Sequence, residues 1–182
     1  MAVRSILKFP APVLKAKAKP VAAIDGQVDE LITDMVESMY AAPGVGLAAP
    51  QLGDGRRIIV IDINHEEPGK DLIKLINPVI AEAEGEIVWE EGCLSVVDYR
   101  AEVRRAAHVL VKGWTLDEKE VEIEAEELLA VALQHEIDHL EGKLFIDRIS
   151  RLKRDLYKRK INKMIRDGIP IESKEKPSDA AI

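Results

Sequence analysis

The sequence predicts an α+β fold: mostly antiparallel sheets packed around a central helix, with an N-terminal and a C-terminal helix. Three observations lead there. An amphipathic stripe lies near the start of the chain, a block of strand-like segments fills residues 57 to 124, and two helical segments close the pattern. Because no regular helices separate the strands, a doubly wound parallel sheet is not expected.

In chain order, residues 1–20 carry three prolines and little periodicity, which suggests an extended segment lying on the body. From Gln27 to Ala42 the apolar set Val28, Leu31, Ile32, Met35, Val36, Met39 and Tyr40 makes a helical stripe that Pro43-Gly44 ends. Gly44-Val45-Gly46-Leu47-Ala48-Ala49-Pro50-Gln51 follows. It has no third glycine in phase and no Lys-Ser/Thr, so it is not a nucleotide loop; its small residues permit close backbone approach. Strands are expected over 57–62, over 72–78 with Pro78 as the stop, over 86–89, over 101–113 and over 120–124, with a turn at Asp117-Glu118. His108 and His65 are read as structural or solvated. Glu124 to Gly142 is rich in Ala, Leu and Glu, is apolar almost all round and is stopped by Gly142, as a buried helix would be. Leu144-Phe145-Ile146 packs back on the body. Arg151 to Arg166 forms the last helix, with Leu152, Leu156, Ile161, Met164 and Ile165 as its apolar side.

With 182 residues the chain is long enough for one domain with a real core. We expect residues 1–166 to form a single catalytic domain and 167–182 a flexible tail. Hydrophobic residues make up 47% and charged residues 32%, as in a soluble globular protein. No apolar run approaches the ~20 residues that span a bilayer, and the N-terminus lacks a signal-peptide core, so the expected location is cytoplasmic, without a membrane partner. A net charge of −7 argues against general nucleic-acid binding, DNA included. Charge is uneven, however: nine Lys or Arg against one acid lie between Arg148 and Arg166. There is one cysteine, Cys93, so no intramolecular disulfide can form.

The chemistry is concentrated in Gln134-His135-Glu136-Ile137-Asp138-His139. On a helix, residues i and i+4 share a face, so His135 and His139 can grip one ion, while Glu136 lies close enough to handle a water without binding the metal. Polar groups on a buried helix need partners, and a metal satisfies all three. Catalytic sites of this type use three protein ligands and leave one position open. A metallopeptidase would take its third ligand downstream, but no histidine follows His139 and the later acids do not fit. Upstream, Cys93 at the end of a strand would complete a His2Cys set. A metallopeptidase and a non-catalytic metal-binding module remain the rival classes.

Together, Gly44 to Gln51, Glu91-Gly92-Cys93-Leu94-Ser95 and Gln134 to His139 resemble, in order, the three motifs of the peptide deformylases, and Leu140-Glu141-Gly142-x-Leu144-Phe145-Ile146-Asp147 extends the resemblance. It implies removal of the N-formyl group from the initiator methionine of nascent chains during protein biosynthesis. It also implies one divalent ion, Fe(II) with Zn, Ni or Co able to substitute, held by Cys93, His135 and His139. Glu136 would move the proton, and Gln51 with the backbone N–H of Leu94 would stabilise the oxyanion. Val45, Gly46 and Gly92 would bind the substrate backbone, and Leu128 and Val131 would line the methionine pocket. Val97 stands where many members carry proline, so Val97-Asp98-Tyr99 is expected to reshape the cleft rim. Because the resemblance implies action on chains emerging from ribosomes, the basic face of the last helix is a candidate for docking on ribosomal RNA; on charge patterning alone a plain solvated face fits equally well.

Overall fold

The computed structural model describes residues 2–64 and 66–171. His65 and residues 172–182 of the tail expected over 167–182 lie outside the described residues.

Helix α1 (Gly26–Ala41) begins at Asp25, whose carboxylate accepts the backbone N–H groups of Gln27 and Val28 and so satisfies two otherwise orphaned donors. Strands β1 (Gly46–Ala48), β2 (Ile58–Ile61), β3 (Ile73–Glu84), β6 (His108–Trp114) and β7 (Glu120–Glu126) form one antiparallel sheet in the order β1-β2-β3-β6-β7. Strands β4 (Ile87–Cys93) and β5 (Val96–Arg105) form a separate hairpin. Helices α2 (Glu127–Leu140) and α3 (Arg151–Arg166) complete the chain.

The period of two in β2 divides the interior. Ile59 and Ile61 enter the cluster around α2, with Val131, Leu133 and Leu140. Ile58 and Val60 enter the cluster under α1, with Leu31, Met35 and Met39. A strand buried on both faces reads as a continuous apolar run, which is why 57–62 is legible as one. A third cluster joins the hairpin to Phe9, Leu144–Ile146, Tyr157 and Ile161. The converging polar side chains of α2 and β4 lie where the first and third clusters meet.

Four departures of the structure from the sequence reading each have a physical reason. Strand β3 continues past Pro78, because a bulge between Ile76 and Val79 takes the proline out of the ladder with β6. The apolar run 101–113 is two strands, turned at Ala106-Ala107, where Gln134 bonds both the N–H and the carbonyl of Ala106. Residues 124–126 belong to β7 rather than to the helix: their pairing with β6 and the burial of Ala125 outweigh local helix propensity. On α3 the buried residues are Tyr157 and Ile161, whereas Leu152 and Leu156 are 71% and 55% exposed. Tyr157 explains this, since its ring packs on Phe9 and Tyr99 and its hydroxyl donates to the carbonyl of Val97. His108, as read, is on the surface, beside Glu126.

Candidate metal centre

Helix α2 supplies two of the converging side chains. The spacing of four residues stacks His135 over His139 on one face, with ring centroids 5.1 Å apart. The third, Cys93, stands at the end of β4, where Cys93↔Val96 closes a tight hairpin tip. The ligand atoms of Cys93, His135 and His139 lie within 4.8 Å of one another, and Cys93 Sγ is 3.3 Å from His139 Nε2. All three are buried. Ligands around one tetrahedral ion are spaced by roughly 3 to 4 Å, so the set fits a single metal.

What orients His135 is a chain of buried charges that the sequence reading did not identify. Its Nδ1 sits 2.8 Å from Glu91 Oε2, so Nε2 is the nitrogen left for the site. Arg105 forks onto the same carboxylate at 2.6 and 2.8 Å, and its remaining nitrogen reaches Asp138, which Arg148 also holds. Burial would raise Glu91, but hydrogen bonds from Arg105 and His135 bring it down to about 2. Burial would likewise lower His135, yet its bonds to Cys93 and Glu91 carry it well above the ordinary histidine range. For His139, burial and the neighbouring His135 both push the value down. Alternation could have shown Arg105, since Ala101, Val103 and Arg105 share the inward face of β5. No spacing rule points from Glu91 to His135.

Glu136 is 1% exposed, and its Oε2 has no hydrogen-bond partner among the described residues. An orphaned carboxylate oxygen beside three convergent ligands is what proton transfer at a metal site needs. Desolvation raises its pKa to about 7. Gly46 explains the close packing here, because a Cβ on it would lie 2.5 Å from Glu136 Oε1. Gly44 similarly leaves room for the Leu94 side chain, which a Cβ would meet at 2.7 Å.

Gln51 is held in one orientation. Its Oε1 accepts the N–H of Ala48 at 2.8 Å, so its Nε2 faces Ser95 Oγ at 3.1 Å and Cys93 Sγ at 3.8 Å. Leu94 and Gly92 flank Cys93 at the hairpin tip. Val45, fully buried, accepts the N–H of Asp62, and Gly46 starts β1, an edge strand of the large sheet. Val131, one turn before His135, is fully buried, and Leu128 is half-buried against the same cluster. Gln134, the first residue of its motif, turns away toward Ala106.

A Cys-His-His set beside a buried carboxylate, set in an α+β fold, defines a metal-dependent hydrolase. The comparisons narrow this. A sequence model of the polypeptide deformylase family matches residues 3–155. A peptide deformylase of Syntrophobacter fumaroxidans is 52% identical over 168 residues, covering 92% of this chain and 99% of that one. The crystal structure of a peptide deformylase from Legionella pneumophila superposes with a TM-score of 0.85 at 46% identity, covering 97% of this chain and all of that one. That of the Ehrlichia chaffeensis enzyme in complex with actinonin gives 0.84 at 36% identity, covering 91% of this chain and 99% of that one. The chain belongs to the polypeptide deformylase family: it removes the N-formyl group from the N-terminal methionine of newly synthesised polypeptides and releases formate.

The raised pKa of Glu136 has a consequence for stability. An unfolded glutamate ionises near its ordinary 4.5, so between there and about 7 the folded, metal-free chain keeps a proton that the unfolded chain has lost. Folding stability from this group therefore falls as pH rises through that window. Metal-free Glu136→Gln should melt higher than metal-free wild type at pH ~8 and close to it at pH ~4.5, by calorimetry. An equal difference at both values would contradict the assignment.

Proposed function

We propose that deformylation at this site is carried by Glu136 as the proton-transfer group beside one divalent ion held by Cys93, His135 and His139. The observation that carries the reading is the convergence of those three ligand atoms around the buried, unpartnered Glu136 carboxylate. The donor set of one thiolate and two imidazoles admits Fe(II), Zn, Ni or Co alike, and we take Fe(II) as the resident ion because the family resemblance implies it. When bound, such an ion acidifies water and polarises a carbonyl oxygen.

The protein's own groups do the rest. Glu136 accepts the proton of the attacking water and delivers it to the departing amine. Gln51 Nε2 and the backbone N–H of Leu94 donate to the formyl oxygen as negative charge builds on it. The substrate backbone lies as an added strand between Val45-Gly46 at the edge of β1 and Gly92 of the hairpin. Its methionine side chain enters an apolar pocket lined by Leu128 and Val131. Residues 1–166 constitute the catalytic domain, and nascent formylated chains place it in the cytoplasm. Among the described residues no helix is long and apolar enough to cross a membrane.

Formate release from formyl-Met-Ala-Ser, with the unformylated peptide left intact, is the expected activity; cleavage of internal peptide bonds would favour a metallopeptidase instead. Glu136→Ala should lower kcat by at least roughly a hundredfold while metal content is unchanged. Retained turnover would remove Glu136 from the chemistry.

The outward face of α3 supports a second element, docking on ribosomal RNA. Arg159, Lys160 and Lys163 are exposed, and they belong to the run in which nine bases face one acid. Reversing all three to glutamate should weaken salt-dependent co-sedimentation with ribosomes and leave hydrolysis of a free tripeptide unchanged. Undiminished co-sedimentation would end the proposal.

A further inference from the structure

The N-terminal segment is bonded to the first two motifs and to Leu140, the residue that follows the third. Leu7 N–H donates to the carbonyl of Gln51 at 2.8 Å, Phe9 N–H to that of Ser95 at 2.8 Å, and Ala18 N–H to that of Leu140 at 2.8 Å. Between the first two, the half-buried Lys8 donates its ammonium to the carbonyl of Leu94. Phe9 is buried, and its ring packs on Tyr157, which itself holds the carbonyl of Val97. Residues 7 to 9 thus run directly between Gln51 and Leu94, the two groups assigned above to the oxyanion.

We propose that Leu7–Phe9 is a strap that sets the separation and aim of the two oxyanion donors, and that Lys8 is its positioning residue. The inference rests on the assignment of Gln51 and Leu94 given above. Physically, the N–H of Leu94 points where the torsions of Cys93 and Leu94 direct it. The Cys93 side chain is fixed on one side by the ligand cluster. Lys8 fixes the other side by holding the Leu94 carbonyl, and Phe9 holds the next carbonyl along. Gln51 sits in a short 3-10 turn, Ala49–Leu52, whose carbonyl at Gln51 is tied to the same strap. Two donors borne on separate elements are therefore referenced to one extended segment. An ammonium-to-carbonyl bond is charge-assisted, stronger than a neutral one, and partial burial shields it from competing water. Donor placement matters because oxyanion stabilisation requires hydrogen bonds preorganised toward the charge that develops. Lys8 need not touch substrate; it acts through Leu94.

The test measures kcat and KM on formyl-Met-Ala-Ser for Lys8→Met, Lys8→Arg, Gln51→Ala and the Lys8→Met/Gln51→Ala double variant, each at full metal content with its melting temperature recorded. A donor displaced by a fraction of an ångström predicts that Lys8→Met lowers kcat by roughly tenfold or more while KM changes by less than about threefold. Lys8→Arg should restore most of the rate, because it keeps a charged donor. In the Gln51→Ala background the loss from Lys8→Met should be smaller than in wild type, since the two donors act as a unit. A Lys8→Met enzyme with normal kcat beside an impaired Gln51→Ala enzyme would overturn the strap alone. A Gln51→Ala enzyme with full kcat would overturn the oxyanion assignment and the strap with it. A Lys8→Met loss explained by lost metal, or not relieved by Lys8→Arg, would assign Lys8 to folding and reject the proposal.

Discussion

Everything at the candidate metal centre depends on Glu91 being shared between His135 and Arg105. A carboxylate with no exposure is costly unless both oxygens are bonded, and here both are, by the Arg105 fork and by His135 Nδ1. The same contact decides which imidazole nitrogen faces Cys93. It also links the hairpin that carries Cys93 to the helix that carries both histidines, so the ligand set cannot drift apart without stripping a buried charge of its partner. Breaking such a pair by removing one member typically costs about 3 to 5 kcal/mol. The hairpin is tied to α2 a second time, through Arg105 and Asp138, and Asp138 is tied in turn to Arg148 just before α3.

This arrangement explains why Glu136, the carboxylate proposed to carry the proton, can be different in kind from its neighbour. Glu91 and Glu136 are both buried, yet one is held down to about 2 and the other raised to about 7. Glu91 is surrounded by donors, whereas Glu136 has an oxygen without any among the described residues. Two carboxylates whose environments drive them apart can serve as anchor and as proton carrier. Gly46 is the backbone counterpart of that division: only a residue without a Cβ lets β1 pass so near Glu136.

Much of this is legible in the sequence, for reasons that can be named. The i, i+4 histidines on an apolar helix point to a metal by their spacing and their apolar surroundings, and the structure brings Cys93 to the same face. Strand β2 and helix α1 follow from runs whose periodicity is decided by burial alone. Where the sequence reading fails, tertiary contacts override local preference. Pro78 reads as a stop until a bulge accommodates it, Ala125 reads as helix until β6 claims it, and Leu152 and Leu156 read as core until Tyr157 turns α3 the other way. The second layer of the site is hidden for a different reason. Glu91, Asp138 and Lys8 look like ordinary polar residues, and only the three-dimensional path brings them to His135, Arg105 and Leu94.

The central claim is that Cys93 and the two histidines hold one ion. X-ray absorption at the metal edge of protein purified without oxygen tests it most directly. The account predicts a coordination shell of one sulfur beside nitrogen scatterers, the sulfur vanishing in Cys93→Ala. A shell containing only nitrogen and oxygen in the unaltered protein would contradict it.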